Sequence, residues 1–518
     1  MRTSQRHAQR RPALTGQTRR LLVMLLPAVA LVAGLGTPAH ATSRLVAVSS
    51  VAELRTAVAN AQPGDVISLA DGEYPADTVI ELSRSGTADA PITLTAENTG
   101  AAQISGAAGL KLRGAYLVIR GIRFTQATTL SLPTTSHHVQ LTRNVFQLRD
   151  PAKDYVIVSG DDVQVDYNTF QNKQTVGVFL AISGPGTAGM AQRTWVHHNH
   201  FINHSYSGSN GGESIRLGTS ARQHSSAYAK IEKNMFSAAD GDREAISVKS
   251  ADNLIRYNRI DNSFGTITLR HGNRNRVEGN LLIGGATGIR IYGNDHTVVN
   301  NVVQSSSGTA VSIAGGDLRD DTDSSTRHDA ADNVLLAFNT LAYNASNMIR
   351  LGDHNQPYAP QQITIVNNVV RGSTATMGTA ARVEGPVTAT WRGNMLYGAT
   401  AGGTPASGYT VADPEMVLDP TGIYRLTADS PAVGAAVGSY DEISRDMDGQ
   451  ARPALRSIGA DEVVTAPVTH KLVTETAVGP AATEAAPAPH KTVKAPAPRK
   501  VVKAPAPRKA GSAARPRR

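Results

Sequence analysis

Between residues 139 and 396 the chain repeats one pattern: a short run alternating apolar and polar residues, then Asn, then an apolar pair. It reads Val139-Gln-Leu-Thr-Arg-Asn144-Val-Phe146 and Val163-Gln-Val-Asp-Tyr-Asn168-Thr-Phe170, and it recurs around Asn199, Asn234, Asn258, Asn280, Asn301, Asn339, Asn368 and Asn394. Period-2 alternation predicts β-strands, each closed by a turn. Successive Asn residues lie between 21 residues (280 to 301) and 38 residues (301 to 339) apart, the shorter spacings clustering just above 20 and the longer ones adding insertions. A unit of this length suits one rung of a right-handed parallel β-helix, an all-β solenoid. Asn tolerates left-handed backbone at the turn, and stacked Asn side chains can hydrogen-bond from coil to coil. A sandwich or propeller would need hairpin turns or longer blades.

Each coil carries a second strand, aligned on apolar pairs: Ile215/Leu217, Ile246/Val248, Ile267/Leu269, Ile289/Ile291, Val311/Ile313 and Ile349/Leu351. With those pairs facing inward, their neighbours face outward and stack into columns about 4.8 Å apart. One column reads Gly218, Lys249, Arg270, Tyr292; the next reads Arg216, Ser247, Thr268, Arg290, Ser312, Arg350. Glu213 and Glu244 begin a third, with Asn210 and Asp242 on the flanking turns. An open solenoid needs a cap. Ser50-Val-Ala-Glu53 has capping-box spacing and predicts an N-terminal capping helix over 51–61, ended by Pro63-Gly64-Asp65.

Composition sharpens this picture at three points. The 5% aromatic content agrees with a narrow interior filled by Val, Ile and Leu, and zero Cys excludes disulfides, thiolate zinc sites and thiol nucleophiles. The net charge of +9 sits at the ends: six Arg lie in residues 1–20 and ten Lys or Arg in 485–518, with no acid in either, so the stretch between is net acidic. Nucleic acid is therefore not an expected partner. The basic start leads into apolar Leu21 to Leu35 and then Pro38-Ala-His-Ala41, which predicts a secretory signal peptide over 1–41, exported by the Sec or twin-arginine route. No later stretch is apolar enough to span a bilayer. A solenoid domain over 42–465 precedes a Pro/Ala/Lys/Arg-rich tail over 466–518, expected to be disordered and suited to an anionic cell wall, or else simply solvated.

Lys, Arg and Tyr stacked beside Asn and carboxylates form a candidate site. Oxygen ligands from Asn210, Asp242 and Glu244, with Glu213 as an optional fourth, suit a hard cation, above all Ca²⁺. The rival reading is an ion-pair ladder in which the acids only pair with Lys249 and Arg270.

At Asn210-Gly-Gly-Glu-Ser-Ile-Arg-Leu-Gly218, Gly241-Asp-Arg-Glu-Ala-Ile-Ser-Val-Lys-Ser250, Leu269-Arg-His-Gly-Asn-Arg274 and Gly288-Ile-Arg-Ile-Tyr-Gly293, the sequence resembles polysaccharide lyase family 6, which includes alginate lyases and chondroitinase B. The likeness runs over most of residues 44–462. It implies Ca²⁺-assisted β-elimination on an anionic uronate polysaccharide. Position by position it implies Lys249 as base and Arg270 on the acid side, calcium ligands at Asn210, Asp242 and Glu244, and a substrate groove bearing His271, Arg290 and Tyr292; Arg216 and Arg350 are further candidates for substrate contact. One departure is Asp242, where the family motif more usually has Glu. Arg270 suits charge stabilisation better than proton donation, because a guanidinium does not deprotonate in proteins; Tyr292, His271 or water then delivers the proton. Alginate is the expected substrate, with dermatan sulfate or chondroitin as the alternative. A β-helix hydrolase, which needs paired catalytic carboxylates, and a non-catalytic wall-binding protein are the competing functions.

Overall fold

A computed structural model describes residues 43–149, 154–206, 208, 210–320, 326–373 and 378–483. The signal peptide read over 1–41 and the tail beyond 483 lie outside these residues. Three long parallel sheets build the solenoid, two of 14 strands and one of 11 that begins at Leu130–Leu132, with Ile80–Leu82 and Leu110–Leu112 pairing separately on earlier coils. Each coil contributes one strand to each sheet in turn, so strands pair with the equivalent strand one coil away, as in Gln140↔Gln164 and Gln164↔Trp195. This is the parallel β-helix expected from the repeat.

Inward residues make one continuous core from Val48 to Leu396. Aromatic residues fill more of it than the composition suggested: Phe124, Phe146, Phe170, Phe201 and Phe236 stack coil on coil at 4.7–5.0 Å, in the column that Ile260, Leu282 and Val303 continue. Parallel in-register strands place identical rings face over face, which makes such a stack accessible.

The Asn repeat forms a buried ladder. Asn144 donates through its backbone N–H and Nδ2 to Asn168 Oδ1 at 2.9 and 3.0 Å, Asn168 does the same to Asn199, and the relay continues through Asn368 to Asn394. The left-handed residue is not the ladder Asn but the one before it: Arg143, Tyr167, His198, Lys233 and Tyr257 have φ between 53° and 56°. That residue makes the turn, leaving the Asn side chain free to point into the coil.

The capping helix spans Val51–Ala59, two residues shorter than expected. Glu53 N–H donates to Ser50 Oγ at 3.3 Å, while the Glu53 carboxylate reaches past the cap to Ser49 N at 2.7 Å. Leu54 and Val58 seal the first coil. No described helix is long and apolar enough to cross a membrane.

Beyond the last coil the chain turns back along the solenoid. Gly459 N donates to Asn367 O, the His470 ring packs on Tyr257 at 4.1 Å, and Val473 and Val478 bury Met235. Gly479 N then reaches His198 O, and Arg143 Nη1 binds Pro480 O at 2.8 Å and Ala482 O at 2.7 Å. Residues 466–483, read from sequence as the start of the tail, thus lie against the coils as a strap.

Candidate functional site

The 11-stranded sheet carries the site. Its register places Arg216, Ser247, Thr268, Arg290, Ser312 and Arg350 opposite one another on successive coils, as the apolar pairs predicted. The companion column is corrected in one respect. Lys249 lies opposite Gly218 on one side, but opposite His271 rather than Arg270 on the other. Two register shifts bracket Ile246–Val248: Ala245 is the extra residue on Glu244–Lys249, and Arg270 is the extra residue on Thr266–His271. β-Bulges bend a strand and re-aim the side chains beside them. Here they turn Glu244 and Arg270 toward each other.

Lys249 Nζ stands 3.2 Å from Glu213 Oε1, with the two side chains 13% and 1% exposed. Glu244, 1% exposed, accepts from Arg270 Nη1 at 3.0 Å and also from Arg290 Nη2. Burial opposes ionisation of Glu244, but Arg270 and Arg290 outweigh it and hold the carboxyl below its usual range. The ion-pair reading therefore describes real contacts, between buried carboxylates and partly exposed cations.

Asp242 behaves in the opposite way. It accepts from Gly211 N at 2.9 Å, yet burial and then the charges of Glu213 and Glu244 push its carboxyl above the ordinary range. Glu213 Oε2 is buried without a hydrogen-bond partner. An orphaned carboxylate oxygen beside an acid that resists ionisation marks a place short of positive charge. Together with the exposed Asn210 amide on the adjoining loop, the oxygen donors Asp242, Glu213 and Glu244 fit a hard cation. Their carboxylates are not drawn together as a trio within 4.8 Å, because Glu244 turns to the two arginines. Among the described residues such a trio occurs only at Asp353, His354 and Glu384. There Arg350 reaches Glu384 at 2.7 Å and Arg382 also pairs with it, holding the Glu384 carboxyl down at about 2 against the effect of burial. That trio is an ion-pair cluster.

Arg216 is bound to Asp154 at 3.1 Å, so each expected substrate-contacting arginine already has a carboxylate neighbour. Arg290 also lies over the Tyr292 ring at 5.6 Å. Sequence reasoning missed His328, which comes from the insertion in the longest Asn interval. Its ring stacks on Tyr292 at 4.3 Å and on His271 at 5.3 Å. Burial, with Arg270 and Arg290 nearby, pushes its pKa down to about 4, so it is a neutral ring at pH 7. A histidine in an insertion beside the site strands was the available signal. In all, the fold brings Lys249, Glu213, Glu244, Arg270, His271, Arg290, Tyr292 and Asp242 to one region.

The sequence matches the chondroitinase B family over residues 48–414. No curated protein matches it. Among solved structures, a PL6 family alginate lyase, AlyGC, aligns with TM-score 0.65 and 24% identity over 83% of this chain, and this chain spans 59% of that longer one. A mannuronic acid specific family 6 lyase from human gut microbiota aligns with TM-score 0.63 and 24% identity over 71% of this chain and 91% of its own. A PL6 alginate lyase in complex with a trisaccharide aligns with TM-score 0.66 and 21% identity over 85% of this chain and 95% of its own. At such identities these likenesses establish the fold.

Proposed function

The chain belongs to the chondroitinase B family, and from that premise we propose that it cleaves a uronate polysaccharide, alginate first among them, by β-elimination. The observation that carries the reading is the arrangement around Glu213 and Glu244: a shielded lysine on one, two arginines on the other, and an orphaned carboxylate oxygen between charge centres.

Elimination removes the C5 proton of a uronate and expels the 4-O-linked sugar. Lys249, as the neutral amine, takes the C5 proton. Arg270 and Arg290 stabilise the negative charge that develops on the carboxylate and departing oxygen, in a partly water-excluded groove where fixed charges act strongly. Tyr292 or His271, held by the His328 stack, hands a proton to the leaving oxygen. Asn210, Asp242 and Glu244, with Glu213, would hold Ca²⁺, which when bound neutralises the substrate carboxylate and makes the C5 proton more acidic.

Alginate is preferred because it is the polymer named for the neighbouring structures, and because a uniformly carboxylated chain suits a column of arginines. The purified protein incubated with alginate and with dermatan sulfate, with chelator and after Ca²⁺ is restored, tests the reading. Near-ultraviolet absorbance from unsaturated ends should appear with alginate, fall on chelation and return with Ca²⁺. No unsaturated product from any uronate polymer sinks it. The proposal extends to export: residues 1–41 act as a signal peptide, so the N-terminus of the exported protein should be Thr42, and the basic tail contacts an anionic wall.

A further inference from the structure

A cleft lies along the starts of the site strands, bounded by Arg243, Thr266, Gly288, Arg290, Ser312 and Arg350. From Arg243 it follows the solenoid axis across Thr266–His271, Ile289–Ile291, Val311–Ile313 and Ile349–Leu351, about 4.8 Å per coil. Arg290 belongs both to this cleft and to the catalytic centre, since its guanidinium reaches Glu244. Arg290 and Arg350 are each held by a carboxylate. Arg243 differs: among the described residues no carboxylate pairs with it, and its guanidinium lies over the Phe264 ring at 4.9 Å.

Phe264 differs as well. It is 38% exposed, while Phe124, Phe146, Phe170, Phe179, Phe201, Phe236 and Phe338 are buried. Its backbone N–H donates to Asp240 Oδ1 at 2.7 Å, and Thr266 Oγ1 donates to Arg243 O at 3.0 Å, so the ring and the cation are tied to the same stretch of backbone. An aromatic ring kept at the surface offers an apolar face on which the C–H face of a pyranose can pack. A planar guanidinium seated over it, with no carboxylate of its own, presents paired N–H groups suited to a carboxylate.

We propose that Arg243 and Phe264 form a subsite that binds one anionic sugar of the polymer beside the reacting unit, Arg243 taking the carboxylate and Phe264 the ring face. The inference rests on the lyase reading and names where a neighbouring uronate of the same substrate is read. It makes Arg243 a residue that selects for carboxylated sugars, acting on binding and not on proton transfer.

The test uses Lys249→Ala protein, which cannot turn substrate over, titrated calorimetrically with an alginate hexasaccharide and with the same hexasaccharide reduced at its carboxyl groups. Adding Arg243→Ala should weaken hexasaccharide binding about tenfold, the loss of one charge-assisted contact, and leave binding of the reduced sugar unchanged. Phe264→Ala should weaken both sugars. The subsite is overturned if Arg243→Ala binds the hexasaccharide as tightly as its parent, if it loses affinity equally for both sugars, or if the parent binds neither. Failure of the lyase reading is seen separately, as absence of unsaturated ends when the wild-type protein is given the same hexasaccharide.

Discussion

Lys249 and Glu213 face each other across neighbouring coils, and the proposed elimination requires that pair to give way to substrate. Lys249→Ala is expected to lower turnover by about 10³-fold, within the range for loss of a general base, and to lower the melting temperature by a few degrees, because Glu213 loses its cation in a buried place; activity assay and thermal denaturation check the two halves. Burial sets a second expectation, in pH. His296 accepts from Asn275 N at its Nδ1 and donates from Nε2 to Tyr292 O, so both ring nitrogens are used in the neutral form. Burial pushes its pKa down to about 4, and does the same for His204. In the unfolded chain both titrate near 6.5, so between about 6.5 and about 4 the unfolded state binds more protons. Their stabilising effect is complete above that window and is lost as pH falls through it. Melting temperature should therefore drop on acidification, and His296→Asn, which keeps an acceptor for Asn275, should flatten the drop. The columns that hold Lys249, Arg290 and Arg350 were legible because apolar pairs mark which residues point outward. The bulge at Arg270 was not, since an extra residue outside Ile267/Leu269 leaves that pair unchanged. Nor was His328 legible, because its position depends on how an insertion folds back.

The Asn ladder and the strands it closes were readable at the level of the element, because a period-2 run followed by a fixed Asn leaves little choice of register. The sequence misplaced the left-handed residue by one position, for the turn belongs to the residue before each ladder Asn. Each rung is cooperative with its neighbours. Asn258 Oδ1 accepts from Asn234 N and Nδ2, and Asn258 Nδ2 donates to Ile231 O, all fully buried. Asn258→Ala leaves Asn234 N–H without its acceptor, while Asn234 Nδ2 keeps Val196 O and Glu232 O, and should cost about 1–3 kcal/mol, the cost of a buried unsatisfied polar group. Equilibrium chemical denaturation measures it. A loss under about 0.5 kcal/mol would mean that the ladder repeats without stabilising.

Across the whole molecule, the C-terminal chain couples distant coils. Residues 466–483 run back from the last coils to Arg143, covering Met235 with Val473 and Val478 on the way. Their Pro- and Ala-containing composition hides this role, because such segments gain order only from the surface they meet. Deleting 466–483 is expected to lower the melting temperature by several degrees, and an unchanged melt would show that the strap contributes nothing. The global charge is equally uninformative about the site: in the proposed function an acidic solenoid meets an anionic polymer through Lys249, Arg270, Arg290 and the oxygen donors beside them. The most direct test of that account is the mass of the fragments that the wild-type protein releases from a defined alginate oligomer. β-Elimination predicts fragments whose masses sum to that of the starting oligomer, one of them carrying an unsaturated uronate at its new end. Fragments that have gained a water molecule would contradict it.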